Sequence, residues 1–190
     1  MDEQIFINQI EAFCKDESGK NKIGYRDFIL LAAQPLIYSS DLLYDLWLNF
    51  RAYKHQDSKL QPSYIVVSDL LLSDLTTTVG ADIFCMVQEV RNILTQEADS
   101  HIKENVAAFI RAYSIRKKNK LDKSIYETHA FWAQSILEPR VMEENIVSKL
   151  KNTEADQSKV DLLMLYYNLI GNNNEQNGEK SIVKLEYADE

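Results

Sequence analysis

The sequence has few of the residues that interrupt regular structure. Its 190 residues include only 5 glycines and 3 prolines, and most of these lie between apolar segments, where they end helices or permit turns. The glycines form neither a GxxxxGK[ST] nor a GxGxxG loop, so a glycine-based phosphate site is not predicted. The longest apolar runs, such as Phe28–Ala33 and Ile65–Leu72, fall far short of the roughly 20 residues that span a bilayer. No membrane partner is therefore expected.

Cysteine and histidine are also scarce. Cys14 and Cys85 lie far apart and form no CxxC pair, which predicts two buried thiols in a reducing compartment rather than a disulfide. His55, His101 and His129 have no second His or Cys and no paired carboxylate at metal-ligand spacing. A Gly-x-Ser-x-Gly turn, which would hold a serine nucleophile, is absent. We therefore predict no metal, no cofactor and no catalytic residue.

Basic residues are fewer than acidic residues in this sequence. Lys and Arg number 21 against 29 Asp and Glu, a formal charge of −8, which disfavours nucleic acid and anionic membranes as partners. The start of the chain, Met1–Gln4, has neither the basic residues nor the apolar run of a secretion signal, so a cytoplasmic location is predicted. With 45% hydrophobic residues, the chain has the composition of a folded globular protein.

Apolar residues recur at three- and four-residue steps along most of the chain, which is typical of amphipathic helices. The predicted helices cover Asp2–Cys14, Tyr25–Gln34, Asp41–Tyr53, Tyr64–Leu75, Val79–Gln96, His101–Lys118, Ser124 to the residue before Pro139, Arg140–Lys151 and Lys159–Ile170. The predicted fold class is therefore all-α, a multi-helix bundle of about seven to eight of these helices in one domain over residues 1–170.

Polar residues at the starts of several of these segments predict helix caps. Ser39 or Ser40 is expected to cap the third helix and Ser100 the sixth. Ser124 with Glu127 three residues later has the pattern of a capping box. These caps define where the helices begin more closely than the periodicity of the apolar residues does.

The fourth predicted helix, Tyr64–Leu75, is apolar on nearly every side and is expected to be the most buried. Its start, Ile65–Val67, is β-branched and also fits a strand. Leu70–Leu72 and the lack of a second predicted strand nearby favour the helix.

The end of the chain, residues 171–190, has a different composition. Asn172–Gly178 is a polar linker with nothing to bury, and we predict that it is flexible. Val183, Leu185 and Tyr187 then alternate with charged residues, a period-two pattern that predicts a short strand. Such a strand needs an edge to pair with, which makes these three residues candidates for partner binding by β-augmentation.

A second candidate for partner binding is a basic cluster at the end of the sixth predicted helix, formed by Arg116, Lys117, Lys118 and Lys120. The cluster could dock on an acidic protein surface or follow a phosphate backbone. A solvated helix end that complements the helix dipole explains it equally well.

Three stretches of the sequence resemble a helical module found in bacterial signalling and conflict systems, alongside signalling NTPases, caspase-like peptidases or von Willebrand A-type components. The stretches are Phe28–Phe50, Ser68–Leu75 with the following Val79–Met86, and His129–Ser135. The resemblance implies an adaptor or regulatory module that contacts an effector or NTPase component of the same system. Where such modules often have a proline, this chain has Asp74.

The sequence thus favours a non-enzymatic protein–protein interaction module, in which tyrosines supply aromatic anchors for a partner. Two alternatives remain open. One is an enzyme whose site is assembled from scattered residues such as Asp69, His129 and Arg140. The other is a helical nucleic-acid-binding regulator that uses the basic segment from Arg111 to Lys123.

Overall fold

The computed structural model describes residues 3–51 and 61–152 of the chain. This part is mostly helical, which confirms the all-α class in its broad sense, although a small antiparallel sheet is present as well. The elements are α1 Glu3–Phe13, α2 Tyr25–Ala32, α3 Ser40–Phe50, α4 Ile65–Leu71, β1 Thr76–Gly80, β2 Ile83–Met86, α5 Gln88–Glu97, α6 Ser100–Lys117, α7 Lys123–Leu137 and α8 Pro139–Asn152. Within these residues, no helix combines the length and the apolar character needed to cross a membrane.

The chain divides into two compact units, Met1–Ala133 and Gln134–Glu190. The first unit is built around α2, which contacts α3, α4, α5 and α6. Six of its eight residues are buried, from Tyr25 at its start to Ala32 at its end. Burying a Leu, Ile or Phe side chain contributes about 1.5–3 kcal/mol, so α2 makes a substantial contribution to the hydrophobic stabilisation of this unit.

The expectation that the fourth helix is the most buried is wrong. α4 is short and buries Val66, Val67 and Leu70, while its first residue, Ile65, is exposed. Its β-branched start is nevertheless helical, as predicted. The apolar residues on its outer side therefore lie at the protein surface instead of in the core.

The predicted helix over Val79–Gln96 is wrong in its first half. Thr76–Gly80 and Ile83–Met86 form a β-hairpin, and only Gln88–Glu97 is helical. The β-branched and aromatic residues of both segments favour strands, and Asp82 takes a left-handed conformation with φ of 53° in the tight turn. Periodicity alone did not distinguish this hairpin from the helix that follows it.

The helix caps agree with the sequence at one of three positions. Ser39 caps α3, because its side chain accepts a hydrogen bond from the backbone of Leu42. At α6 the cap is Asp99 rather than Ser100, and at α7 Asp122 accepts the hydrogen bond from the backbone N–H of Ser124. At both helices, the capping group is thus a carboxylate one or two residues before the serine that the sequence predicts.

In the second unit, α8 begins at Pro139, which fits the preference of proline for the first turn of a helix. Met142 and Ile146 of this helix are buried, whereas Val141 is exposed. The predicted helix over Lys159–Ile170, the linker, and Val183, Leu185 and Tyr187 lie outside the described residues.

Candidate protein-interaction surface

Apolar side chains are exposed together on the neighbouring helices α3 and α4. We call this set the α3–α4 surface; it consists of Tyr44, Trp47, Leu48, Tyr64 and Ile65. Tyr44, Leu48, Tyr64 and Ile65 are 47%, 45%, 63% and 47% exposed. Trp47 lies between the two tyrosines and is only 8% exposed.

The spacing of residues along α3 explains one half of this surface. Tyr44 and Leu48 are one helical turn apart, so their side chains share a face of the helix. The inward face of α3 is formed by Leu42, Leu43 and Leu46, which are fully buried. Tyr44 and Leu48 fall outside this stripe and are therefore left at the surface.

Trp47 connects the α3 side and the α4 side of this surface. Its indole Nε1–H donates a hydrogen bond to the carbonyl oxygen of Pro62, at 3.0 Å, just before α4 begins. The ring centroids of Tyr44 and Trp47 are 5.3 Å apart. The ring of Tyr64 meets Trp47 edge-on, with centroids 6.4 Å apart. The tryptophan is thus held firmly, and two exposed tyrosines flank it.

A cation lies against the tryptophan of this surface. The guanidinium of Arg51 lies 5.3 Å from the centre of the Trp47 ring, at cation–π distance. Tyr, Trp and Arg are the residues most enriched among those that dominate binding energy at protein interfaces.

Two of the four basic residues predicted to bind a partner form ion pairs within the chain. Arg116 forms an ion pair with Asp45, and Lys117 forms one with Asp41, both at 2.9 Å. Because both carboxylates lie on α3, these pairs join α6 to α3. Lys118 lies over the ring of Tyr126, at 5.6 Å, and Lys120 is exposed.

Asp41 is the centre of this α3–α6 contact. The Lys117 ammonium, with help from the hydroxyl of Tyr113, which donates a hydrogen bond at 2.9 Å, lowers the pKa of the Asp41 carboxyl. Burial, together with this hydrogen bond to Asp41, raises the pKa of Tyr113 to about 12. These charged groups therefore join α3 to α6, and Arg116 and Lys117 are less available to an outside partner.

Asp69 and His129, two of the three residues considered for a dispersed enzyme site, have separate surroundings. Asp69 accepts a hydrogen bond from the hydroxyl of Tyr25. His129 is buried, with Nε2 at 3.1 Å from the carbonyl oxygen of Ile37, so Nε2 carries the proton that this oxygen accepts. Burial lowers the pKa of His129. Arg140 belongs to the second unit.

The two cysteines are free thiols, Cys14 buried and Cys85 partly buried. Burial raises the pKa of both thiols, which reduces the fraction of reactive thiolate near neutral pH. A cleft of about 610 Å³ opens beside Cys14, lined by Ile7, Ile10, Lys22, Arg26 and others. Arg26 pairs with Glu97, and Lys22 lies over the Tyr25 ring, so both cations already have partners. Over residues 3–51 and 61–152, no group of three His, Cys, Asp or Glu side chains could hold a metal ion.

Neither Trp47 nor the exposed Tyr44, Leu48 and Tyr64 were among the partner-binding residues predicted from the sequence. A signal was present, since Tyr44 and Leu48 are large apolar residues one turn apart on the side opposite the core stripe. Comparisons with protein-family models, with curated proteins and with solved structures find no match to this chain.

Proposed function

We propose that this chain is a non-enzymatic protein–protein interaction module that binds its partner through the α3–α4 surface. The observation that carries the proposal is the exposure of Tyr44 and Tyr64 against the fixed ring of Trp47, with Leu48 and Ile65 exposed on the same two helices. Large apolar side chains that are clustered at a surface, rather than scattered, are typical of protein-binding sites. Aromatic side chains with few rotatable bonds lose little conformational entropy on binding.

The chemistry of the surface also describes the partner. Its apolar centre fits an apolar side-chain cluster on the partner, and the charge of −8 on this chain favours a partner with basic residues around that cluster. Opposite net charge speeds encounter, while the buried aromatic contacts set the dissociation rate. Added salt is therefore expected to slow association more than it speeds dissociation.

The setting of this role is part of the same proposal. The resemblance to modules of bacterial signalling and conflict systems supports an adaptor or regulatory subunit acting in the cytoplasm, with an effector or NTPase component as its partner. In this proposal the helices form a bundle of about seven to eight, and a strand-like C-terminal tail follows them.

The test begins by identifying the partner at the surface itself. A photo-reactive phenylalanine placed at Tyr44, and in a second sample at Ile5, is used for cross-linking in the native host. Ile5 is an exposed apolar residue on α1, so it controls for nonspecific apolar contact. We expect one protein to be cross-linked from position 44 and not from position 5.

The captured protein is then purified and its affinity measured. Ile65→Ser is compared with Ile5→Ser, which removes the same side chain at a similar exposure of 51%. We expect Ile65→Ser, and more so Tyr64→Ser, to weaken binding at least about tenfold with unchanged melting temperatures, while Ile5→Ser has little effect. Equal losses at positions 65 and 5, or cross-linking that does not distinguish the positions, would contradict the proposal.

A further inference from the structure

The hairpin presents one edge without a neighbour in the described residues. β2 pairs on one side with β1 and on the other with Tyr38. The N–H and the C=O of Phe84 both bond to Tyr38, each at 2.9 Å, and therefore point away from β1. Thr78 is opposite Phe84 in the antiparallel register, so the backbone groups of Thr78 point away from β2.

The outward backbone groups of β1 are largely unpaired. The N–H of Thr76 donates to the carbonyl oxygen of Ser73, at 3.3 Å. The N–H and C=O of Thr78 bond to no residue of the described part of the chain. A backbone N–H or C=O that is buried in an interface without a hydrogen bond costs free energy. The edge of β1 therefore favours a binding segment whose own backbone groups can hydrogen-bond to it.

The composition of β1 leaves this edge open. Thr76–Gly80 contains neither a charged residue nor a proline, the features with which proteins commonly protect an edge strand. The residues from Thr77 to Gly80 are all exposed in the single chain. The only irregularity is a register shift between Thr78 and Gly80.

We propose that the edge of β1 accepts the segment Ser181–Glu190 of a second copy of this chain as an added strand. The inference rests on the proposed function as an interaction module and names a second contact that such a module makes. Val183, Leu185 and Tyr187 alternate with charged residues in this segment, the pattern of a strand with one apolar face. Thr77–Gly80 are exposed, so the edge is accessible to a strand from a second copy of the chain.

This segment fits the edge better than a second copy of β1 does. Pairing two copies of β1 would place the register shift next to Thr78 in both strands, which limits the length of the ladder. The segment carries an aromatic and two branched aliphatic residues, which form favourable cross-strand pairs with threonine.

The test is the mass of the full chain in solution, measured by light scattering after gel filtration over a range of concentrations. Thr78→Pro removes the outward N–H at an edge position where proline is tolerated, and Thr78→Val keeps the backbone and the shape of the side chain. We expect self-association of the wild type, weakened about tenfold by Thr78→Pro and nearly unchanged by Thr78→Val.

A second variant tests the occupant. Val183→Asp combined with Leu185→Asp removes the apolar face of the segment, and Lys184→Gln serves as its control. We expect the double variant to be monomeric and Lys184→Gln to associate normally. Mixing the Thr78→Pro chain with the Val183→Asp, Leu185→Asp chain should give a one-to-one complex, because one supplies an intact segment and the other an intact edge.

A wild type that is monomeric at all concentrations overturns the inference, and so does self-association that survives in the Val183→Asp, Leu185→Asp chain. Should Thr78→Pro fail to fold, as judged by circular dichroism, the segment variants still decide the outcome. None of these variants alters the α3–α4 surface, so partner binding through Tyr64 and Ile65 can fail or succeed independently.

Discussion

Pro62 lies so close to the backbone of Gly24 that a Cβ atom on Gly24 would be 2.5 Å from Pro62 Cδ. Gly24 immediately precedes α2 and has φ of 73°, in the left-handed region. The carbonyl oxygen of the same proline accepts the hydrogen bond of Trp47. Pro62 therefore ties the start of α2 to α3, and it does so beside the α3–α4 surface.

Replacing Gly24 with alanine is predicted to destabilise the protein for two reasons. The left-handed conformation costs an L-residue about 1–2 kcal/mol, and the contact with Pro62 adds an overpacking cost of about 1–3 kcal/mol. Gly19→Ala is the matched control, since Gly19 has φ of 79° but nothing within 4 Å of the added Cβ. Urea denaturation monitored by circular dichroism measures the free energy of unfolding of both variants.

We expect Gly24→Ala to lose clearly more stability than Gly19→Ala. Equal losses would show that Pro62 moves aside at little cost. Trp47 donates a hydrogen bond to Pro62, so a change in tryptophan fluorescence of the folded Gly24→Ala variant that Gly19→Ala does not show would indicate that this contact has shifted.

Most of the helices could be predicted from the sequence because their apolar residues recur with the period of a buried helix face. The hairpin could not, since Ile83, Met86, Val90 and Leu94 are compatible with one continuous helical stripe across a strand and a helix. What decides the structure there is tertiary: Phe84 pairs with Tyr38, which lies far away in the sequence. Pairing partners at such distances leave no local signal.

Asp41→Asn is predicted to weaken the contact between α3 and α6. The carboxyl has a lowered pKa in the folded state, chiefly because of Lys117, so its contribution is present at neutral pH and is lost as pH falls below about 4. The Asp41 side chain is 55% exposed, which limits the loss to about 0.5–1 kcal/mol.

The measurement is the free energy of unfolding of Asp41→Asn and of wild type between pH 7 and acid conditions. The two curves should converge as the pH falls through the pKa of folded Asp41. Asp74→Asn, at an exposed carboxylate without an ion pair to any described residue, is the control and should follow the wild type throughout. A difference that persists undiminished in acid would mean that packing, not charge, joins the helices.

The basic cluster and the α3–α4 surface show how far a site can be predicted from sequence. Arg116 and Lys117 stand out as a run of cations, but the run does not reveal that Asp45 and Asp41 face them from another helix. By contrast, the exposure of Tyr44 and Leu48 could be predicted, because their spacing places them outside the buried apolar stripe of α3. Which apolar residues of α4 join them depends on how the short helix packs, which periodicity does not determine.

His129 makes stability depend on pH near neutrality. Burial lowers the pKa of His129 in the folded state, so between that pKa and about 6.5 the unfolded chain binds a proton that the folded chain does not. Stability is therefore expected to fall as the pH drops through this interval. His129→Gln should flatten this part of the curve. An identical slope in wild type and His129→Gln, in urea titrations at pH 5 to 8, would contradict the assignment.

Tyr38 and Tyr113 provide a matched pair of buried hydroxyls. The hydroxyl of Tyr38 has no hydrogen-bond partner among the described residues, whereas that of Tyr113 donates to Asp41. Removing an unpaired buried polar group relieves its desolvation cost, whereas removing a paired one also loses its hydrogen bond. We expect Tyr38→Phe to be neutral or to stabilise by about 1 kcal/mol, and Tyr113→Phe to destabilise by about 1 kcal/mol. Chemical denaturation of the two variants under the same conditions gives both values. A clear loss in the free energy of unfolding for Tyr38→Phe would mean that the Tyr38 hydroxyl has a hydrogen-bond partner such as a buried water.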